Sequence, residues 1–195
     1  MRRSETGQSD VVSRLRAATG EAHARLDARL DIIETLARPD GKKRLVARFF
    51  GLHAGAEPAL APLLGPVKGL DFEARDRSSL LERDIAELGL ARDAVPVCPV
   101  QAPGCEKEAL GFFYVLEGSS LGGRIIRREI EQRGIPSDGL SFLDPYGSET
   151  GARWRAFLDV LRERAPEGDE AAADAVVRGG VAGFARAETW LCDAP

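Results

Sequence analysis

Apolar residues recur every three or four positions along most of the chain, the pattern of helices that each bury one face. From Val12 onward, Leu15, Ala22, Leu26, Leu30 and Ile33 fall on one stripe, with Arg14, Arg25 and Arg29 between them. This predicts an amphipathic first helix, capped by Ser9 or Asp10 and bent near Asp31. Pro39-Asp40-Gly41 reads as a turn, and Lys42 to Leu64 as a second helix that Pro58 should kink or divide. A loop through Gly65-Pro66 and Gly69 leads to a third helix, about Arg75 to Leu88, with Gly89 as its C-terminal cap. Residues 90–104 read as irregular. A long helix starts near Cys105, runs through LGFFYVLEGSSLGGRIIRREIEQRG and ends at Gly134-Ile135-Pro136. After a loop over 135–148, Thr150 to Arg164 and Asp169 to Leu191 complete the chain as two more helices. Nothing alternates with the period of two that a strand requires, so the expected class is all-α. One helical domain over 9–195 is expected, preceded by a polar, aperiodic tail over 1–8 that should be disordered.

A chain of 195 residues is long enough to bury one sizeable core without disulfides or structural metals. Its net charge of -4, with Lys and Arg scattered among Asp and Glu, provides no field to hold a polyphosphate, which argues against nucleic acid as a partner. No apolar run approaches bilayer length, and no apolar segment follows the two arginines of MRRSETGQSD. The expectation is a cytoplasmic protein without a membrane partner. Three cysteines, an odd number, then read as reduced thiols.

Candidate chemistry narrows quickly, because the chain has two histidines, His23 and His53. His23 lies at the border of the first helix's buried face, two turns after Arg16 and one turn before Asp27. A ligand-binding imidazole there would have a cation along the helix for an anionic group and a carboxylate to fix its tautomer. On this pattern alone, a packing or surface histidine is the commoner reading. The long helix adds a second oddity. Gly118, Gly122 and Gly123 sit among Phe112, Phe113, Tyr114, Leu116, Leu121, Ile125 and Ile126, and each glycine costs a helix about 0.5–1 kcal/mol relative to alanine. Gly118 and Gly122 share a face, which would suit either a planar ligand on bare backbone or close approach of another helix. The residues leave both open.

Taken together, LRAATGEAHARLD at 15–27 and YVLEGSSLGGR at 114–124 resemble the proximal and distal helix motifs of the haem oxygenase family, particularly its bacterial biliverdin-producing branch. The resemblance implies a helical bundle holding haem between the first, proximal helix and a glycine-kinked distal helix. It makes His23 the iron ligand, Asp27 its acidic partner and Arg16 a basic group near a propionate. Gly118, Gly122 and Gly123 would let backbone approach the oxygen, and Arg155 is a looser candidate for a second propionate partner, its plainer reading being a solvated helix arginine. Many family members carry an aspartate directly after the first distal glycine, whereas this chain has Ser119, which keeps a hydroxyl and loses the charge. Glu117 is no obvious replacement, since it projects about 100° around the helix from Gly118.

The implied reaction opens haem at a meso carbon with O2 and external electrons, giving biliverdin, CO and Fe2+, so haem is both substrate and cofactor. Lacking any flavin or dinucleotide fingerprint, the chain would need an electron donor such as a ferredoxin or reductase, with Arg16, Arg124, Arg127 and Arg128 as a candidate basic patch. A biliverdin acceptor is a further possible partner. The rival readings are a non-degrading haem carrier or sensor on the same fold, a di-iron oxidase, for which two histidines are few, and a helical interaction protein without a ligand. Within the haem readings, His53 in LHAG competes with His23 for the iron, and Cys98 beside Pro99 is a much weaker thiolate candidate.

Overall fold

In the computed structural model, residues 10–193 are described; Ser9 and the tail expected over 1–8 lie outside them. Seven α-helices among these residues form an all-α bundle: α1 (Val11–Leu30), α2 (Ile32–Leu36), α3 (Pro39–Leu64), α4 (Ser78–Glu87), α5 (Glu106–Gln132), α6 (Thr150–Arg164) and α7 (Glu170–Glu188). The bend expected near Asp31 is a full break: Asp31 adopts a left-handed conformation (φ 37°) and separates α1 from α2. Two expectations needed correction. Pro39-Asp40-Gly41 opens α3 rather than preceding it, because proline at the first helical position lacks only an N–H that would be unpaired anyway. Pro58 and Pro62 both lie inside α3 without dividing it. Gly89 takes positive φ (74°) just past α4, as a helix terminator should.

Glycines set how closely the central helices approach. On α5, a Cβ at Gly111 would collide with the Val176 carbonyl of α7; one at Gly179 on α7 would collide with the Glu108 carbonyl of α5. Gly180 likewise makes room for the Leu15 side chain of α1. Here bare backbone lets helices meet backbone to backbone, and the resulting contact area offsets the helix penalty of each glycine. The α1–α7 seam is also laced with surface ion pairs, Arg14 to Glu170 (2.6 Å) and Asp174 (2.5 Å), and Arg25 and Arg29 to Glu188 (3.3 and 3.2 Å). Exposed pairs of this kind contribute about 0–1 kcal/mol each.

Two connections are held by buried polar groups. Asp84 on α4 accepts hydrogen bonds from Ser141 N (3.0 Å), Ser141 Oγ (2.7 Å) and Phe142 N (2.9 Å). The buried Lys42 ammonium donates to the Pro136 carbonyl (2.8 Å). The loop before α6 is thereby fixed, and Phe142 is brought against Phe49 of α3 with ring centroids 5.0 Å apart. After α7 the chain continues in a wider helical turn, Thr189–Asp193, pinned to α3 by Trp190 Nε1 donating to the Arg48 carbonyl (2.8 Å) and Arg48 Nη1 donating to the Leu191 carbonyl (2.7 Å).

Candidate functional site

These elements enclose a cavity of about 390 Å³ whose walls come from α1, α3, α5, α7 and the tethered loop before α6, within the usual size range of small-molecule sites. Its lining is mainly apolar, with Leu26, Phe49, Phe142, Trp154 and Phe184 prominent. Polar groups are few and specific. Arg16, His23 and Asp27 stand on α1; His53 stands on α3; Ser119 sits on α5. The glycine face of α5, Gly118 and Gly122, also lines the space.

His23 is open, its side chain 63% exposed, with Nδ1 3.1 Å from Asp27 Oδ2 and the ring edge-on to Phe184 at 5.6 Å. A carboxylate on Nδ1 holds the tautomer that leaves Nε2 as a lone-pair donor, the arrangement in which imidazoles bind metals. His53 lines the same cavity but is buried, its Nδ1 2.8 Å from Glu57 Oε1. Glu57 also accepts from the backbone N–H groups of Arg77 (2.9 Å) and Ser78 (3.1 Å). Among the described residues no group of three or more His, Cys, Asp or Glu side chains is placed to hold a metal ion.

The three distal glycines do different things. A Cβ at Gly122 would meet nothing within 4 Å, and one at Gly118 would make only ordinary contact with Trp154 (3.5 Å). Protein packing does not require glycine at either position, and both border the cavity. At Gly123 a Cβ would strike the backbone of Leu143. Close chain packing thus accounts for Gly123, although it borders the cavity as well. Despite its glycines α5 is one continuous helix from Glu106 to Gln132. Ser119 Oγ donates back to the Leu116 carbonyl (2.6 Å), which commits its proton to the helix.

The chain is 34% identical over 155 residues to the heme oxygenase of Xanthomonas campestris pv. campestris (strain 8004), an alignment spanning 78% of this chain and 89% of that protein. The chain belongs to the haem oxygenase family. Solved structures with the same fold include NO- and CO-bound heme oxygenase from Neisseria meningitidis (20% identity, TM-score 0.76, covering 93% of this chain and 90% of that one). Heme oxygenase-1 from the cyanobacterium Synechocystis sp. PCC6803 in complex with heme is a second (15%, 0.74, 94% and 91%). The heme oxygenase of Leptospira interrogans is a third (14%, 0.74, 95% and 100%). No protein-family model matches the chain.

Of the candidate residues, Arg16, His23, Asp27, Gly118, Ser119, Gly122 and Gly123 converge on the cavity of this haem oxygenase. Arg155 does not: it is exposed on α6 and does not border the space, whereas its neighbour Trp154 does. Sequence reasoning missed Tyr114, Trp154 and Phe142, while His53, the competing candidate, lines the cavity as a buried residue. Periodicity marked Tyr114 as an apolar-face residue, but no local signal tied Phe142 or Trp154 to the glycines. All three cysteines are free, and Cys98 is buried, where desolvation pushes its thiol up. That disfavours the thiolate a metal would need.

Proposed function

We propose that this haem oxygenase opens haem at a meso carbon, using O2 and external electrons, to give biliverdin, CO and Fe2+, with haem seated in the cavity between α1 and α5. The observation that carries the reading is the pairing, across one apolar cavity, of an accessible carboxylate-backed imidazole with a helix face left bare by glycines that packing does not require. The residues fit the group: a flat apolar ligand suits the aromatic walls, and Arg16 supplies an exposed cation for a carboxylate edge.

Bound haem supplies an iron for oxygen activation and the meso carbon that is oxidised. For the protein's part, His23 Nε2 holds the metal while Asp27 accepts the Nδ1 proton and keeps the ring oriented. Support for His23 over His53 comes from access, since His53 is 2% exposed and its Nδ1 is taken up in the Glu57 cluster. Gly118 and Gly122 let helix backbone approach the ligand, with Trp154 excluding water at one end. Because Ser119 Oγ already donates to Leu116, proton supply falls to water held by Ser119 as an acceptor and by neighbouring backbone. Arg124 and Arg128, both exposed on α5 beyond the glycines, with Arg127 and Arg16, form the patch proposed for an acidic electron donor such as a ferredoxin or reductase. No helix among the described residues is long and apolar enough to cross a membrane, and we place the reaction in the cytoplasm, where a biliverdin acceptor could take the product.

The test is turnover of the haem complex with an artificial reductant in air, followed by chromatography. Loss of the Soret band with appearance of biliverdin is expected. Haem that binds and then stays intact through repeated reduction would instead favour a carrier or sensor.

A further inference from the structure

Directly before Gly118, α5 carries a carboxylate that the reaction does not use. Glu117 is 1% exposed and faces away from the cavity into an ion cluster contributed by the connection before α4 and the loop before α6. Arg75, in a short 3-10 turn (Glu73–Arg75), donates through Nη1 to Glu117 Oε1; Arg77 Nη2 lies 3.4 Å from Oε2; the Tyr146 hydroxyl donates to Oε2 at 3.0 Å. The cluster reaches α6 as well. Arg75 Nη2 donates to the Arg153 carbonyl (3.2 Å), Arg153 Nη1 donates to the Ala74 carbonyl (3.2 Å), and Tyr146 is flanked by the Arg77 and Arg153 guanidiniums at 5.0 and 4.7 Å from its ring centre. Arg153 precedes Trp154, whose indole lies against Gly118.

Buried ion pairs are poor sources of net stability, because desolvating the charges costs about as much as their attraction returns. What such a pair does supply is direction. Glu117 and Gly118 are about 100° apart around α5, so whatever holds the carboxylate on one side fixes where the glycine face points on the other. A twist of about 20° at the Cα radius of about 2.3 Å would move the Gly118 backbone by about 0.8 Å. Displacements near 1 Å can cost a reaction about a hundredfold. Packing on α7 holds the first half of α5; beyond Gly118 the helix meets the Leu143 backbone at Gly123 and buries Ile130, while Ile125 between them is 73% exposed.

We infer that Glu117 is a positioning residue: its buried carboxylate sets the rotation of α5, and so the direction in which the Gly118–Gly122 face meets the cavity, while Arg153 ties Trp154 to the same setting. This deepens the haem oxygenase reading and rests on it for the consequence in turnover.

The test compares wild type with Glu117→Gln and with the milder Tyr146→Phe, which removes one hydrogen bond and leaves the charges in place. Amide hydrogen exchange over residues 116–122, measured on apoprotein and on haem complex without turnover, should quicken by about tenfold in Glu117→Gln and less in Tyr146→Phe, as local opening becomes easier. The Soret band and haem affinity should stay near wild type, while the biliverdin isomers change from one dominant product to a mixture. Unchanged exchange over 116–122 together with an unchanged isomer ratio, even in a less stable protein, would overturn the proposal. If Glu117→Gln does not fold, Tyr146→Phe decides by the same two readings. A wild type that makes no biliverdin would sink the functional reading instead, and the exchange comparison would still decide the rotation of α5.

Discussion

Two walls of the cavity carry the same local motif, a histidine with a carboxylate four residues later, and use it in opposite ways. On α1, His23 and Asp27 are both 63% exposed and approach to 3.1 Å. On α3, the His53 and Glu57 side chains are 3% and 10% exposed, 2.8 Å apart, and Glu57 also caps the backbone of Arg77 and Ser78. The first pair costs little desolvation and leaves an imidazole edge available to a ligand. The second has become part of the packing, since its carboxylate organises the start of α4. Helical spacing brings acid and base together in both cases; the surroundings decide whether the pair can bind anything. The electrostatics of the walls follow the same division, with surface ion pairs along α1 and α7, a buried hydrogen-bond cluster around Glu57 and buried ion pairs around Glu117.

The sharpest way to break this comparison is to remove the open imidazole. His23→Ala should abolish the normal haem spectrum and the turnover that depends on it. It should alter apoprotein stability by no more than about 0.5 kcal/mol, because an exposed side chain away from caps and the core contributes little. Haem titration followed in the Soret region and a thermal melt of the apoprotein check both halves. A normal spectrum in His23→Ala would move the iron to the α3 wall.

Removing the buried imidazole should do the reverse. His53→Ala is expected to leave the haem spectrum largely intact and to destabilise the apoprotein by about 1–2 kcal/mol, below the upper end of the range of about 1–3 kcal/mol for leaving a buried hydrogen-bond partner unsatisfied. The reduction reflects the two backbone hydrogen bonds that Glu57 keeps. Calorimetry on the apoprotein measures it, and at about 2–4 °C per kcal/mol for a domain of this size the shift is readily seen. A melting temperature unchanged by His53→Ala would mean that the two pairs differ less than their burial indicates.

How far the sequence foretold these walls depends on how local each signal is. The break at Asp31, the cap at Gly89 and the span of α6 were legible because turn chemistry and apolar periodicity act within a few residues. His23, Asp27, Gly118 and Gly122 were legible through the resemblance of two short motifs; on spacing alone His23 read as a packing residue. Tertiary acts were not legible. Asp84 capping Ser141 and Phe142 spans 57 and 58 positions, and Arg75 meets Glu117 across 42. No periodicity encodes such partners. Glycine was ambiguous for the same reason: Gly111 and Gly179 serve helix contact, Gly122 faces open space, and the sequence writes them alike.

That ambiguity sets the smallest prediction. Gly122 lies on the cavity wall in a helix, and a Cβ there meets no protein atom within 4 Å, while one at the next residue, Gly123, strikes Leu143 backbone. Gly122→Ala should therefore stabilise the apoprotein by about 0.5–1 kcal/mol, the ordinary helix preference of alanine over glycine, whereas Gly123→Ala should destabilise it. If the space beside Gly122 belongs to haem, the same methyl should weaken haem binding by about tenfold, within the range of about 1–3 kcal/mol for an overpacked contact. A variant that gains stability and loses ligand would show that this glycine is kept for the cavity against the preference of its own helix. Gain in stability with haem affinity untouched would place the ligand away from α5 at this point, and the open wall would then be His23 alone.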